Sequence, residues 1–331
     1  LNSFGRIFRI HIFGESHGEC AGLTIDGCPA GLPLSVEDFL EDIERRKGGV
    51  QKGTTPRKED DIPIFKSGLF NGHTTGAPIT ILFENKNTRS GDYEKQRSVP
   101  RPGHADFTAH AKYGGFEDFR GGGHFSGRLT VCLVAAGVIA KKLLKGIEVK
   151  STILEIGGET DLEKGLDKAI EAKDSIGGIV ECRVNGLPVG LGEHFFDSVE
   201  SLLAHAVFSI PAIKGVEFGA GFAAAKMFGI NHNDPILDKA GKTATNHAGG
   251  IVGGVTNGNE LVYRVVVKPT SSTPKEQNTL NWDTNAMEAF SVKGRHDLCI
   301  ALRVPVVLEA VTAMVLADLM LLAQKIKPVL S

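Results

Sequence analysis

Apolar positions along the chain fall into short strand-like runs set off by Gly, Asn and Pro, with a few longer runs at helical spacing. Early on, Glu15-Ser16-His17-Gly18 leads through a short apolar run to Asp26-Gly27-Cys28-Pro29-Ala30-Gly31-Leu32. Later, Asp174-Ser175-Ile176-Gly177 leads through another to Asn185-Gly186-Leu187-Pro188-Val189-Gly190-Leu191. The echo continues. Ser67-Gly68-Leu69-Phe70-Asn71-Gly72 precedes a strand predicted at Ile79–Phe83, and Gly253-Gly254-Val255-Thr256-Asn257-Gly258 precedes one at Leu261–Val267. These run on to Thr88-Arg89-Ser90 and to Thr270-Ser271-Ser272. His104 and Asp106 then precede an apolar helix at Leu129–Leu144, as His296 and Asp297 precede one at Val304–Leu322. Ser35-x-x-Asp38 and Asp197-x-x-Glu200 predict starts for two shorter helices, the first ended by Gly48-Gly49.

The pattern predicts one domain over 1–331, built of two pseudo-repeats of about 1–150 and 151–331, with a period far too long for a solenoid. Strands come in adjacent pairs without strict strand–helix alternation, which favours an α+β fold of antiparallel sheets with packed helices. No G-x-G-x-x-G joins a strand to a helix, so a Rossmann nucleotide site is not expected. Within the echo, His17 against Ile176 is the difference a scaffold does not require.

Composition narrows the function classes. The formal net charge is −2 over 331 residues, so bulk attraction to nucleic acid is not indicated. Basic residues still cluster at Arg45, Arg46, Lys47, Lys52, Arg57 and Lys58, a solvated face or a site for a small polyanion. The five cysteines form no C-x-x-C pair and are odd in number, which suits a reducing compartment without structural zinc. The apolar runs around Val131–Ala140 and Val311–Leu322 read as too short or too interrupted, by Asp318, to span a bilayer. A soluble cytoplasmic protein with no membrane partner is expected.

Several segments hold more polar and glycine residues than a core needs. They are Phe13–Gly18, Arg101-Pro-Gly-His104-Ala-Asp106, Arg120-Gly-Gly-Gly-His124-Phe125-Ser126-Gly-Arg128, Asn246-His247-Ala248-Gly-Gly, Lys268-Pro269-Thr270-Ser271-Ser272 and Gly294-Arg295-His296-Asp297. Each alone reads as readily as a cap, a turn or a surface histidine. His104, His110 and His124 lack the same-face spacing of a zincin, so no metal site is expected. Together, histidines for proton transfer, arginines for anions and hydroxyls for a phosphate suit a phosphorylated, multiply anionic substrate.

These motifs, in this order, resemble those of the chorismate synthase family over nearly the whole chain. The resemblance implies conversion of 5-enolpyruvylshikimate 3-phosphate to chorismate and phosphate, a 1,4-anti elimination using reduced FMN and the last step of the shikimate pathway. It implies a fold with helices sandwiched between two antiparallel sheets, and a homotetramer. By motif, His17 would protonate the departing phosphate, His104 the reduced flavin, and Asp297 would assist removal of the C6 hydrogen. Ser16, Arg46, Arg101 and Arg128 would hold the substrate. The flavin would fall to His124, Phe125, Ser126, His247, Ala248, Gly253, Lys268, Pro269, Thr270, Ser271, Ser272 and Arg295. Reduction comes either from NADPH on this chain, with Arg46 and Lys52 as candidate contacts, or from an external flavin reductase. The chain departs from the family at His124-Phe125, where Arg-Ser is usual, and at Leu129, where an acid is usual. Rival readings are a flavin oxidoreductase, which would consume reductant with every turnover, and a non-enzymatic binder of anions.

Overall fold

In chain order the first half supplies β1 (Ser3–Phe4), β2 (Arg9–Gly14), β3 (Cys20–Asp26), α1 (Glu37–Arg46), β4 (Ile64–Ser67), β5 (Leu69–Phe70), β6 (His73–Thr74), β7 (Ile79–Glu84), α2 (Asp106–Tyr113) and α3 (Thr130–Leu143). The second supplies β8 (Glu148–Ile156), α4 (Leu162–Ala172), β9 (Gly178–Asn185), α5 (Val199–Val207), β10 (Ile213–Phe218) and α6 (Gly229–His232). It ends with the hairpins β11 (Ile251–Val252)–β12 (Val255–Thr256) and β14 (Gln277–Asn281)–β15 (Ala286–Phe290), with β13 (Leu261–Val267) between them, and α7 (Val304–Leu322). The computed structural model describes residues 1–49, 52–54, 59–86, 97–292 and 296–325.

Two larger sheets form, ordered β1-β2-β3-β7-β4 and β8-β9-β13-β10, with every ladder antiparallel. Apart from the edge strand β1, the two orders correspond position for position. Each strand shows one face to the helices: Ile79, Ile81 and Phe83 of β7 are buried, with Thr80 and Leu82 between them only partly covered. The architecture is α+β, as the adjacent strand pairs predict.

The helices α3 and α7 fill the middle layer. α3 packs on β3 and on α1, while α7 packs on β8, β9 and α5. Twelve of the 14 residues of α3 and 15 of the 19 of α7 are buried. A Cβ on Gly137 would lie 2.3 Å from that of Ala310, so the missing side chain sets how closely the two helices cross. The expectation from length fails here: with the turns before them, both helices are long and apolar enough to cross a membrane. Their apolar surface is instead covered by the sheets and neighbouring helices. Asp318, the interruption in α7, accepts hydrogen bonds from the N–H groups of Arg6, Ile7 and Phe8 at 2.9, 2.7 and 2.9 Å. That satisfies a buried carboxylate and fixes the entry to β2.

Local expectations need small corrections. The Asp38 carboxylate accepts from the Ser35 N–H at 2.8 Å, but Val36 is the residue preceding α1 and no side chain caps it. α5 is capped by Ser198, whose hydroxyl accepts from the Ser201 N–H, because Asp197 turns aside to pair with Arg6. Asn71-Gly72 and Asn257-Gly258 share letters without sharing a job. Asn71-Gly72, both at positive φ, make the β5–β6 turn, whereas Gly253-Gly254 make the β11–β12 turn.

One clamp occurs twice. The Thr74 hydroxyl donates to the Pro29 carbonyl at 2.6 Å and accepts from the Leu32 N–H at 2.9 Å. The Thr256 hydroxyl donates to the Pro188 carbonyl at 2.7 Å and accepts from the Leu191 N–H at 2.9 Å. Backbone bonds Gly31–Thr74 and Gly190–Thr256 complete each copy. Each clamp fastens a hairpin to the turn that leaves a central strand.

Candidate active site

A cavity of about 690 Å³ opens where the helical layer meets the loops between the two sheets. Its size is that of a pocket for one large or two small ligands. From the first half it is lined by Ser16, Arg46, Arg101, His104, Arg128 and the segment His124-Phe125-Ser126. From the second come Lys268 through Ser272, His296, Asp297 and Arg303.

The glycine triplet decides how the two candidate acids approach. Gly121, Gly122 and Gly123 all have positive φ, so the backbone coils tightly just before α3. A Cβ on Gly121 would fall 2.3 Å from His17 Nδ1, and one on Gly122 would fall 3.0 Å from His104 Cε1. Adjacent bare positions therefore receive the two histidine rings. His17 itself is 7% exposed and stands behind Gly121 and Ser16, which line the cavity; Ser16 N–H donates to the Gly123 carbonyl at 3.1 Å.

Carboxylates hold the arginines, and one of them, Asp61, the sequence did not single out. Asp61, whose side chain is wholly buried, accepts from Arg46 Nη2 at 2.6 Å and from Arg128 Nη1. Burial by itself would raise the Asp61 carboxyl, but the two guanidiniums outweigh it and hold it below its ordinary value. Burial pushes Arg46 down to about 10 against the pull of Asp61, which leaves it charged at neutral pH. Arg101 donates through Nε and Nη2 to Asp106 at 2.7 and 2.8 Å, and through Nη1 to Ser272 at 3.3 Å. Asp106 also lies 2.6 Å from His104 Nδ1. Arg101 Nη2 is 3.0 Å from the same nitrogen, but an ionised carboxylate can only accept, so at 2.6 Å Nδ1 carries the proton and Asp106 takes both N–H groups. That assigns the tautomer and leaves His104 Nε2 for a proton exchanged with a bound molecule. Against its burial, hydrogen bonds from Arg101 and His104 keep the Asp106 carboxyl far below the usual carboxylate range. On the far wall, Arg303 donates to Asp297 at 3.0 Å and to the Arg46 carbonyl at 2.7 Å.

The walls suit a flavin nucleotide and a polyanion. Cations (Arg46, Lys47, Arg101, Arg128, Lys268, Arg303) outnumber carboxylates (Glu59, Asp61, Asp297). Lys268 reaches Ser271 Oγ and the Gly103 carbonyl at 2.8 and 2.6 Å, and burial lowers its pKa. Beside it the buried Thr270 hydroxyl has no hydrogen-bond partner among the described residues, a group that an incoming phosphate oxygen would satisfy. Ile10, Ile12, Leu133, Ile210, Val304 and Met314 supply apolar wall for a ring system. His124 lines this region, with Nδ1 2.7 Å from the Gly14 carbonyl and Nε2 3.2 Å from Asn2 Oδ1, and Phe125 leans on Tyr113.

Other sequence-predicted residues are not gathered here. His247, Ala248 and Gly253 do not line the cavity. The N–H groups of His247 and Ala248 donate to Asp234 at 2.8 and 2.9 Å, which ties the end of the excursion between β10 and β11 to its middle. Arg295 and Thr88-Arg89-Ser90 lie outside the described residues. Among the described residues the basic cluster forms no single surface: Arg45 pairs with Glu309, Lys52 pairs with Asp167 outside the cavity, and Arg46 is buried within it, while Arg57 and Lys58 lie outside the described residues. All five cysteines are unpaired; burial raises Cys28 and Cys182 to about 11 and Cys132 to about 12, which keeps those thiols protonated.

A family model for chorismate synthase matches residues 8–321. The chain belongs to the chorismate synthase family. A chorismate synthase of Chitinophaga pinensis is 74% identical over 326 residues, 98% of each chain. One from Korarchaeum cryptofilum is 44% identical across 95% of this chain and 96% of its own. A solved structure described as the crystal structure of chorismate synthase, 28% identical, covers 97% of this chain and 93% of its own with a TM-score of 0.74. The protein is accordingly an enzyme, a lyase of aromatic amino acid biosynthesis, and the cavity is its candidate active site.

Proposed function

We propose that this cavity converts 5-enolpyruvylshikimate 3-phosphate to chorismate and phosphate, the last step of the shikimate pathway. The observation that carries the reading is the convergence of His17 and His104 on adjacent glycines beside three buried arginines. In the elimination the C3–O bond to phosphate and a C6–H bond break, and the ring gains a double bond with no net oxidation. Arg46, Arg101 and Arg128 hold the phosphate and carboxylates. Their donors are oriented beforehand by Asp61 and Asp106, so no reorganisation is needed when substrate arrives. His17 gives its proton to the leaving phosphate oxygen. Asp297, held by Arg303, takes the C6 proton, while His104 exchanges a proton through Nε2. Reduced FMN, when bound, supplies electron density to the departing allylic phosphate. Lys268 to Ser272, with His124, Phe125 and Ser126, would hold the FMN. NADPH or an external flavin reductase is the source of reduction.

The enzyme works as a cytoplasmic homotetramer on this reading. Support comes from the excursion between β10 and β11, where Phe222, Phe228, Ile230, Ile236 and Leu237 are all more than 60% exposed. Another copy of the chain would cover that apolar surface, and the neighbouring His247 and Ala248 with it. The two halves are copies of one unit; the matching sheet orders and the repeated threonine clamp support this.

The test is an anaerobic assay with pre-reduced FMN that follows phosphate and chorismate together. Equal amounts of both are expected. Phosphate without chorismate, or neither product, overturns the reading.

A further inference from the structure

Asn85 follows β7 immediately, and every polar atom of its side chain is engaged at the edge of the cavity. Its Nδ2 donates to the carbonyls of Glu15 and Gly18, each at 2.9 Å, and these two carbonyls bracket Ser16-His17. Its Oδ1 accepts from Arg128 Nε at 2.9 Å. The amide has one workable orientation: turned over, its oxygen would face two carbonyls and its NH2 a guanidinium. The backbone holds the residue as well, since the Asn85 N–H donates to the Glu19 carbonyl at 3.1 Å. Arg128 passes onward to Asp61 and, at 3.3 Å, to the Glu84 carbonyl. One side chain thus fixes the distance between the loop bearing His17 and a cavity-lining guanidinium.

We propose that Asn85 is a positioning residue for the elimination, setting His17 relative to Arg128 so that proton donor and cation meet the same leaving phosphate. This rests on the reading that His17 supplies the proton and Arg128 holds an anionic group. Asn85 touches neither substrate nor flavin; it acts through the two groups it spaces.

Two substitutions separate its two contacts. Asn85→Asp keeps the acceptor for Arg128 but turns an oxygen toward the Glu15 and Gly18 carbonyls. It should lower kcat on the order of tenfold or more, with KM for substrate changed less than about twofold. Asn85→Ala removes both contacts and should lower kcat and raise KM together. In a cycle with His17→Ala, the double variant His17→Ala/Asn85→Ala should have the kcat of His17→Ala alone, because placement of an absent acid no longer matters. Melting temperatures check that each variant is folded. If Asn85→Ala does not fold, the isosteric Asn85→Asp carries the test, with His17→Ala/Asn85→Asp closing the cycle. A wild-type kcat in Asn85→Asp, or fully multiplicative losses in the cycle, overturns the proposal. An impaired His17→Ala beside an unimpaired Asn85→Asp sinks the positioning role alone. A fully active His17→Ala sinks the acid assignment and this inference with it.

Discussion

The loops entering β3 and β9 carry nearly the same letters and do opposite work. In the first, His17 sits against Gly121 under the Asn85 strap, next to cavity-lining Ser16. In the second, Ile176 occupies the corresponding place and packs onto Gly157, where a Cβ would lie 2.2 Å from its Cδ1; its N–H donates to the Leu298 carbonyl at 3.0 Å. Both loops are locked downstream by the same threonine clamp. The same clamp therefore accommodates either residue, and on the proposed reading the proton donor stands in one loop only. The surroundings differ: the Asn85 strap ties the first loop to the Arg128–Asp61 pair, whereas in the second Asp174 accepts from Thr273 and pairs with Lys275 beside the apolar contact of Ile176.

The largest expected contrast is between His17→Ala and Ile176→Ala. The first should cost about 10²–10⁴-fold in kcat with stability nearly intact. The second should cost about 2 kcal/mol of stability with turnover per folded enzyme intact. Chemical denaturation and steady-state kinetics on both would break the comparison if either variant showed the other's profile.

The facing glycines sharpen it further. Gly121→Ala sets a Cβ into the His17 ring at a positive φ and should cost about 10²-fold in kcat, the usual effect of a misplaced catalytic group. Gly157→Ala meets Ile176 and should lower stability by about 1–3 kcal/mol through overpacking, leaving kcat unchanged. Equal kinetic losses in the two would mean the second loop also serves catalysis.

The shared clamp should respond alike in both halves. Thr74→Val and Thr256→Val each remove a donor and an acceptor that serve backbone groups, for about 1–3 kcal/mol each. Neither should change kcat. Urea midpoints differing widely between the two would show that the clamps are not equivalent.

The smallest effect concerns acid. Asp61 has a folded-state pKa below its unfolded value, so its contribution is full above about pH 4 and fades as pH falls through the lower folded value. Asp61→Asn should be less stable than wild type at pH 6, with the gap closing toward pH 3. Parallel stability curves over that range would contradict the assignment.

Much of this architecture could be read beforehand, for identifiable reasons. α7 is bounded to the residue because its run is apolar apart from Glu309, Thr312 and Asp318 and opens with Pro305 in the first turn. β13 is bounded equally well, since turn residues flank an apolar run broken only by Arg264. Strand order was not legible, because antiparallel partners are chosen by packing across the helical layer. Nor was Asp61, which belongs to the acidic stretch Glu59-Asp60-Asp61 and reads as solvated loop. Only the fold puts it between Arg46 and Arg128. Asn85 and Arg303 look like ordinary residues at element ends until their partners, distant in sequence, arrive. The histidines and glycines were conspicuous because a polar ring between bare residues has little scaffold use.

A count of product formed per reducing equivalent tests the central claim most directly. With substrate in excess, oxygen excluded and FMN reduced once at the start, the lyase account predicts many chorismate molecules per reducing equivalent. It also predicts that the flavin remains reduced when substrate is exhausted. One product or fewer per equivalent, with flavin oxidised in step, would contradict it and make this cavity that of a redox enzyme.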